Sequence, residues 1–434
     1  MKDVLLTVRN ALRKLQSPKH ILLAYSCGAD STALLHVLKT LQNEFSYSLS
    51  CVHVHHGLRK ASDEEEQFAR DYSVSIGVPI QVIRINVSKT GNLENAARTA
   101  RYQAIEEARR KVNADVVALA HHADDQAETM LMHLLSGSGL DGLKAMPEFR
   151  PPFWRPLLSV TKSDLMAYLK KNNLEYMEDE SNSDSRFTRN HLRHRVLPIF
   201  EELQPGFSLR MSQTADILNQ DSALLTSLED EWLAKYEKYL PPFHFVDLKA
   251  YNRLHLALKR RIVRRLCIRH DIKLNFIQTE QLLSFIEDEQ ACKYSLSIGI
   301  YAIKSFQRLH IFNDDVKSIS VHWSEPIKVP AGNGYGDGRH EQVMAASAQE
   351  GAVMRLPRRD DVITPKGMKG TQPILKYFSS RGMDRPFRPY WPVYARGNRV
   401  MWVPGMGISD EAAVRPGQTG VVRLVFQDRL PDEI

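Results

Sequence analysis

Ile21-Leu-Leu-Ala-Tyr25 runs into Ser26-Cys27-Gly28-Ala29-Asp30-Ser31 and then into Thr32-Ala-Leu-Leu-His-Val-Leu38: an apolar run, a cluster of small and hydroxyl residues, and a second apolar run at helical spacing. An uncharged apolar run predicts a strand buried on both faces, and the periodic run after it predicts a helix. A strand that turns directly into a helix aims the helix's unpaired N–H groups, and the positive end of its dipole, at one spot beyond the turn. Small side chains let an anion approach that spot closely. The stretch therefore predicts a phosphate cradle at the first βα turn of an α/β fold. No lysine follows as in G-x-x-x-x-G-K-[ST], so the loop is not of the kind whose own lysine reaches the β and γ phosphates. Glycine turns after strands also serve structure alone, and the loop by itself leaves both readings open.

Outward from this turn, three more short apolar runs predict strands at Leu49 to Val54, Gln81 to Ile85 and Val116 to Ala120, with helical patterns at Ser31 to Leu41 and Glu94 to Arg110 between them. Gly77-Val78-Pro79 and Gly91-Asn92 supply breaks. Strand alternating with helix predicts a doubly wound parallel sheet. Helical patterns dominate from Leu209 to Glu289, after a break at Gln204-Pro205-Gly206 and with Pro241-Pro242 as an interruption. The turn-rich stretch Val329 to Arg339 predicts a connector or exposed hairpin, beyond which a small mixed domain closes the chain. We expect a catalytic α/β domain over 1–205, a mainly helical domain over 206–328 and a small α+β domain over 345–434.

The bulk properties agree. At about 150 residues per domain, 434 residues suggest two or three units, and 43% hydrophobic with 25% charged residues is an ordinary globular composition. A formal charge of +7 favours an anionic partner if the excess gathers on one face, and nucleic acid is the obvious one. Cys27, Cys51, Cys267 and Cys292 lie far apart with no C-x-x-C pair, which argues against a zinc ribbon or a disulfide framework. The N-terminus is too charged for a signal peptide and no run is long enough to span a membrane, so a cytoplasmic protein with no membrane partner is expected.

Two further clusters fall where parallel-sheet ligands collect, beyond the carboxyl ends of the strands. Val52-His53-Val54-His55-His56-Gly57-Leu58-Arg59 ends the second strand; its spacing puts His53 and His55 on one strand face, toward the cradle. Plain alternation of core and surface accounts for that pair equally well. His121-His122-Ala123-Asp124-Asp125-Gln126-Ala127-Glu128 follows the fourth strand. Asp124 or Asp125 suits a helix cap, yet two aspartates plus Glu128 carry more charge than a cap needs, and hard oxygen ligands suit Mg²⁺ on phosphates. On the intervening helix Glu94, Arg98, Arg101 and Ile105 share a face, and Arg101, beside Tyr102, is the better candidate to meet phosphate.

The loop resembles the S-G-G-x-D-S loop of the ATP pyrophosphatases. That resemblance implies that Ser26, Gly28 and Ser31 hold ATP phosphates, with Cys27 and Ala29 completing the loop, and that Asp30 positions metal or nucleotide. Cys27 departs from the motif's glycine, at a place where close phosphate approach or a positive φ favours glycine. The ordered series S-C-G-A-D-S, H-V-H-H-G-L-R, A-A-R-T-A-R-Y and H-H-A-D-D-Q-A-E-T resembles the tRNA(Ile)-lysidine synthetases. It continues through Arg155-Pro-Leu-Leu158, Glu178-Asp-Glu-Ser-Asn182 and Arg189-Asn190-His-Leu-Arg193, strongly over 15–200 and more weakly to the C-terminus. The resemblance implies a carbon–nitrogen ligase that adenylates the wobble cytidine of a CAU-anticodon tRNA(Ile) with ATP. L-lysine then displaces AMP to give lysidine, with Mg²⁺ assisting. It implies catalytic roles for Asp30, Arg101, His121 and Asp125, metal contacts from Asp30, Asp124 and Asp125, and a lysine carboxylate among Asp124, Glu128 and Glu178. Arg189 and Arg193 are assigned to tRNA.

For the RNA surface, Arg260, Arg261, Arg264 and Arg265 interleave with Leu258, Ile262, Val263 and Leu266. This pattern predicts an apolar stripe backed by a cationic face, suited to phosphates unless it is simply solvated. In the last domain Lys369, Lys376 and other cations mix with Tyr377, Phe378, Phe387 and Trp391, which suits folded RNA, though the aromatics serve equally as core. Two rival readings stay open: a tRNA thiolase of the same superfamily, and a catalytically idle ATP- and tRNA-binding protein, both prompted by Cys27. Oligomeric state is open too, a homodimer included.

Overall fold

The computed structural model describes residues 3–15, 17–55, 61–85, 93–177, 188–240, 243–313, 327–329, 341–415 and 421–425. They form two compact units, Met1–Leu224 and Leu225–Ile434.

The first unit carries strands β1 (His20–Ala24), β2 (Ser48–His55), β3 (Ile80–Arg84), β4 (Val116–Ala118), β5 (Phe149–Arg150) and β6 (Phe153–Trp154). They make one sheet in the order β3-β2-β1-β4-β6-β5, parallel except for the edge strand β5. The β1 run is apolar throughout because both its faces are covered. Ile21 and Leu23 enter a cluster with α1 (Val4–Lys14), α2 (Ala29–Phe45), α3 (Ala61–Ser75) and α7 (Lys162–Lys171). Leu22 instead meets Ile105 and Ala108 of α4 (Leu93–Lys111) on the other face. That alternation, set by the two-residue period of a strand, makes the sheet doubly wound. Because β2 and β4 both flank β1, chain order reverses there, and the turn after β1 and the turn after β4 open on one crevice.

After β4 come α5 (Ala123–Leu135), α6 (Leu140–Leu143), then α7, α8 (Thr188–His191), a π-turn at Leu192–Val196, α9 (Leu197–Leu203) and the long α10 (Phe207–Tyr236). Ala127 and Leu131 of α5 pack on Leu192, Leu197 and Phe207, which brings the Arg189–Arg193 tract against the first turns of α5. The expected boundary at Pro205-Gly206 separates α9 from α10, whereas the two compact units part near Leu224, within α10.

In the second unit α11 (Leu248–Asn252), α12 (Leu256–Ile268) and α13 (Phe276–Glu287) supply the expected helices. They pack on an antiparallel sheet in the order β7-β8-β11-β10-β9, strands Glu237–Leu240, Phe243–Asp247, Arg308–Asn313, Ile300–Ser305 and Lys293–Ser297. The sequence reading did not anticipate this sheet. Beyond it, β12 (Ile327–Val329), β13 (Glu341–Ala345) and β20 (Val421–Val425) form a three-stranded sheet. The small terminal sheet runs from β14 (Val353–Arg355) to β19 (Gly407–Ile408) and holds α14 (Ile374–Ser380). Tyr377, Phe378, Phe387 and Trp391 are all buried in its core, so these aromatics hold the domain together and do not stack on RNA. Most of the glycine-rich connector, 331–339, lies outside the described residues. Among the described residues no helix is long and apolar enough to cross a membrane.

Candidate active site

The first βα turn is built around one residue in a left-handed conformation. Cys27 takes φ +65°, the region that favours glycine, at a cost of about 1 kcal/mol for a side chain. The backbone thus adopts what the motif's glycine would adopt. The thiol is fully buried beneath the turn, with Sγ 3.4 Å from the Glu65 carbonyl oxygen and 3.8 Å from His53 Nδ1. Burial first, and then the Glu65 charge, push that thiol up to about 12. Above it, Ser26 donates its N–H to Ser31 Oγ at 3.2 Å, the two hydroxyls lie 3.1 Å apart, and Ser31 donates to the Gly28 carbonyl at 3.0 Å. Helix α2 starts at Gly28 with no side-chain cap. A Cβ built on Gly28 would meet only Ser26 Oγ, at 3.7 Å, so the space beyond the turn is open. An uncapped helix start ringed by two hydroxyls fits a polyphosphate.

Facing the turn across the crevice stands His122, the N-cap of α5. Its Nδ1 is 3.1 Å from Asp124 Oδ2, and its Nε2 is 3.6 Å from both Asp30 Oδ2 and Asp125 Oδ2. Asp125 also accepts the His122 backbone N–H at 3.0 Å, so it caps the helix as well as charging the site. Burial alone would lower the imidazole's pKa, but Asp125, Asp124 and Asp30 together outweigh it and raise the ring to about 10. His122 is an imidazolium at neutral pH. A second cation comes from α7, where Lys162 places Nζ 2.6 Å from Asp30 Oδ1 and donates its backbone N–H to Asp124 Oδ2 at 2.8 Å. Burial opposes ionisation of Asp30 too, yet His122 and Lys162 hold its carboxyl below the usual range.

Asp30, Asp124 and Asp125 do converge, as expected, but around His122. Their charge is taken up by His122, Lys162 and arginines, and no group of three His, Cys, Asp or Glu among the described residues is arranged to hold a metal ion. Asp30, Asp124 and Asp125, the residues expected to meet Mg²⁺, thus form a carboxylate cluster with internal cations in this structure. Glu128, another expected lysine carboxylate, is 0% exposed in its side chain and bound by Arg189 at 2.7 Å and by Arg193 on both oxygens. The same two guanidiniums reach Asp125 Oδ1 at 3.3 and 3.1 Å, which draws Arg189 and Arg193 into the crevice wall. Glu178, the third lysine candidate, lies outside the described residues.

His121 behaves unlike its neighbour. Burial drives its pKa to about 3 against the pull of Asp125, with Arg155, Arg189 and Arg101 adding to the depression, so the ring is neutral. Its Nδ1 is buried without a hydrogen-bond partner among the described residues. Arg101, itself lowered by burial, lies 5.8 Å from the Tyr102 ring centroid, and Arg98 lies 5.4 Å from the same ring. Arg98, Arg101 and Arg155 thus gather beside Tyr102 and His121, close to the acidic cluster. The expected face of His53 and His55 is buried. His53 Nδ1 donates to the Tyr25 carbonyl at 3.0 Å and His55 Nε2 lies 3.2 Å from Asp63, so both brace the floor of the crevice. The rest of that motif, His56 to Arg59, lies outside the described residues.

Away from the crevice, the cationic face of α12 is neutralised. Arg260 forks onto Glu280 at 2.8 and 2.9 Å, Arg261 and Arg265 bind Glu229, Arg265 also binds Asp230, and Arg264 donates to Thr279 at 3.1 Å. The arginines expected to meet phosphate thus form an interhelical seam in this structure. Lys369 and Lys376 are exposed on the terminal domain. Sequence reasoning missed His122 and Lys162. A signal for Lys162 was present, since Thr161-Lys162-Ser163-Asp164 is a capping box that marks the start of α7 just after Arg155-Pro-Leu-Leu158.

Comparison with known proteins agrees with this geometry. A PP-loop domain model matches residues 3–200, and a TilS substrate C-terminal domain model matches residues 352–425. The tRNA(Ile)-lysidine synthase of Azoarcus sp. is 31% identical over 420 residues, covering 92% of this chain and 90% of its own. That of Geobacter sulfurreducens is 29% identical over 437 residues, 93% of each chain. That of Pseudomonas aeruginosa is 41% identical over 210 residues, 47% of each chain. The near-complete overlap at 31% identity places this protein in the tRNA(Ile)-lysidine synthase family.

Proposed function

We propose that this chain is the ligase that makes lysidine, coupling L-lysine to the wobble cytidine of the CAU anticodon of tRNA(Ile) at the expense of ATP. The uncapped start of α2, ringed by Ser26 and Ser31, carries this reading, because free helix N–H groups and two hydroxyls suit phosphate oxygens. With the pyrophosphate end of ATP on these groups, the α-phosphorus faces the His121–Arg101 side. The cytosine oxygen at ring position 2 attacks that phosphorus and pyrophosphate leaves. The lysine side-chain amine then adds to the activated carbon, and AMP departs with the oxygen. Arg101 offsets charge on the phosphoryl oxygens, and neutral His121 serves as a hydrogen-bond partner, not an acid. Of the three candidate carboxylates for the lysine ammonium, Asp124, Glu128 and Glu178, Asp124 is favoured because its side chain is 27% exposed, whereas that of Glu128 is 0% exposed and bound by Arg189 and Arg193. Asp30, Asp124 and Asp125 are the carboxylates that would hold Mg²⁺, which would offset charge on the ATP phosphates. We assign chemistry to 1–205 and tRNA contact to 206–328 and 345–434, the exposed Lys369 and Lys376 being the foremost contacts.

Incubation of the full chain with ATP, labelled lysine and a CAU-anticodon tRNA tests the reading. Lysine should enter RNA in step with AMP and pyrophosphate. Formation of ADP, or base modification only with a sulfur donor, would overturn it. The thiolase alternative has no support from Cys27, whose thiol is buried and pushed up to about 12.

A further inference from the structure

The loop after β1 lacks the lysine that other phosphate loops carry, yet an ammonium stands beside it. Lys162 comes from a distant element, the first position of α7, and its place there is fixed twice. Thr161 and Asp164 exchange capping hydrogen bonds at 3.3 and 3.2 Å around it, and its own N–H is tied to Asp124. Its side chain leans over the start of α2 onto Asp30, which sits in the first turn of that helix. The Lys162 side chain is 43% exposed, so an entering ligand can reach it. A polyphosphate at the uncapped start of α2 carries several negative charges where Asp30 carries one, and a four-carbon stem swings between partners at little cost.

We propose that Lys162 is a polyphosphate-binding residue of this site: with no nucleotide bound it rests on Asp30, and with ATP bound its ammonium moves to the pyrophosphate portion and stabilises that group as it leaves. The proposal rests on the assignment of the β1–α2 turn as the ATP site.

Full-length Lys162→Met should raise the KM for ATP at least tenfold. It should weaken inhibition by inorganic pyrophosphate by a similar factor, while inhibition by AMP and the KM for lysine stay within about twofold. Lys162→Arg should recover part of the loss. If Lys162 merely positioned Asp30, pyrophosphate and AMP would weaken alike, and that result overturns the proposal, as does unchanged pyrophosphate inhibition. Should the Met variant melt early, Lys162→Gln removes the charge but keeps a polar end that can hydrogen-bond Asp30, and is read by the same two inhibitors. Wild-type chain that releases no pyrophosphate from ATP in the presence of tRNA would remove the ATP assignment, and this proposal with it.

Discussion

Cys27 holds a left-handed backbone with its thiol turned away from the phosphate side of the turn. The chemistry above the loop therefore should not notice the side chain. Cys27→Gly is expected to leave the KM for ATP within about twofold. Relief of about 1 kcal/mol of backbone strain is set against lost side-chain burial and a more flexible unfolded chain, so stability should fall only slightly. In the folded protein iodoacetamide at pH 8 should modify Cys292, which is exposed, and spare Cys27, Cys51 and Cys267, which are buried. Rapid loss of Cys27 in peptide mass spectrometry would contradict the buried thiol. His122 gives a pH signature. Its pKa is raised above 6.5 to about 10, so its contribution to stability is complete below about pH 6.5 and is lost as pH rises toward 10. Urea unfolding of the wild type should weaken over that window more than that of His122→Gln, in which Asp30, Asp124, Asp125 and Lys162 face each other without the imidazolium. Parallel pH curves for the two proteins would refute the charged ring. At this scale the sequence was only half legible: the demand for glycine conformation at position 27 follows from the motif, but nothing in two adjacent histidines tells which one turns to the acids. That depends on His122 being the N-cap of α5.

Elements were read well where burial alone writes the pattern. The buried strands β1, β2 and β4 appear as uniform apolar runs because helices cover both sheet faces, and each was found within a few residues of its observed limits. Helix α3, Ala-Ser-Asp-Glu-Glu-Glu-Gln-Phe-Ala-Arg-Asp-Tyr-Ser-Val-Ser, was not, since only a narrow side of it touches the core through Phe68, Ala69 and Tyr72. On α12 the helical period was legible but the fate of its arginines was not. Their carboxylates come from α10 and α13, and a charge run carries no mark of partners that fold beside it. The seam predicts a stability effect where a free cationic face would predict a binding effect. Arg261→Ala leaves the buried Glu229 with only the 3.5 Å contact to Arg265, a loss of about 2 kcal/mol or more by analogy with broken buried pairs. Thermal melts should show it, and tRNA affinity measured well below the melt should change little. The opposite pattern, a normal melt with weakened tRNA binding, would return α12 to the RNA surface.

Over the whole molecule the excess of 58 basic over 51 acidic residues does not identify a nucleic-acid face, because so many cations are consumed internally. Arg189 and Arg193 serve Glu128 and Asp125, the α12 arginines serve α10 and α13, and Arg355 serves Asp361. What stays exposed on the terminal domain includes Arg358, Arg359, Lys369 and Lys376, on loops and on one short helix around a core that has taken in the aromatic residues. Affinity there should come from phosphate contacts and displaced counterions, with little stacking. Each phosphate contact contributes roughly 0.7 to 0.9 to the slope of log affinity against log salt, so Lys369→Gln with Lys376→Gln should flatten that slope by up to about 1.4 to 1.8. The melting temperature should stay within a degree or two, since neither side chain is buried. Lysine incorporation at saturating tRNA should persist, because the residues assigned to the chemistry all belong to the first unit. A filter-binding salt titration decides the matter: an unchanged slope in the double variant would take these lysines out of the interface and leave the tRNA bound by surfaces other than theirs.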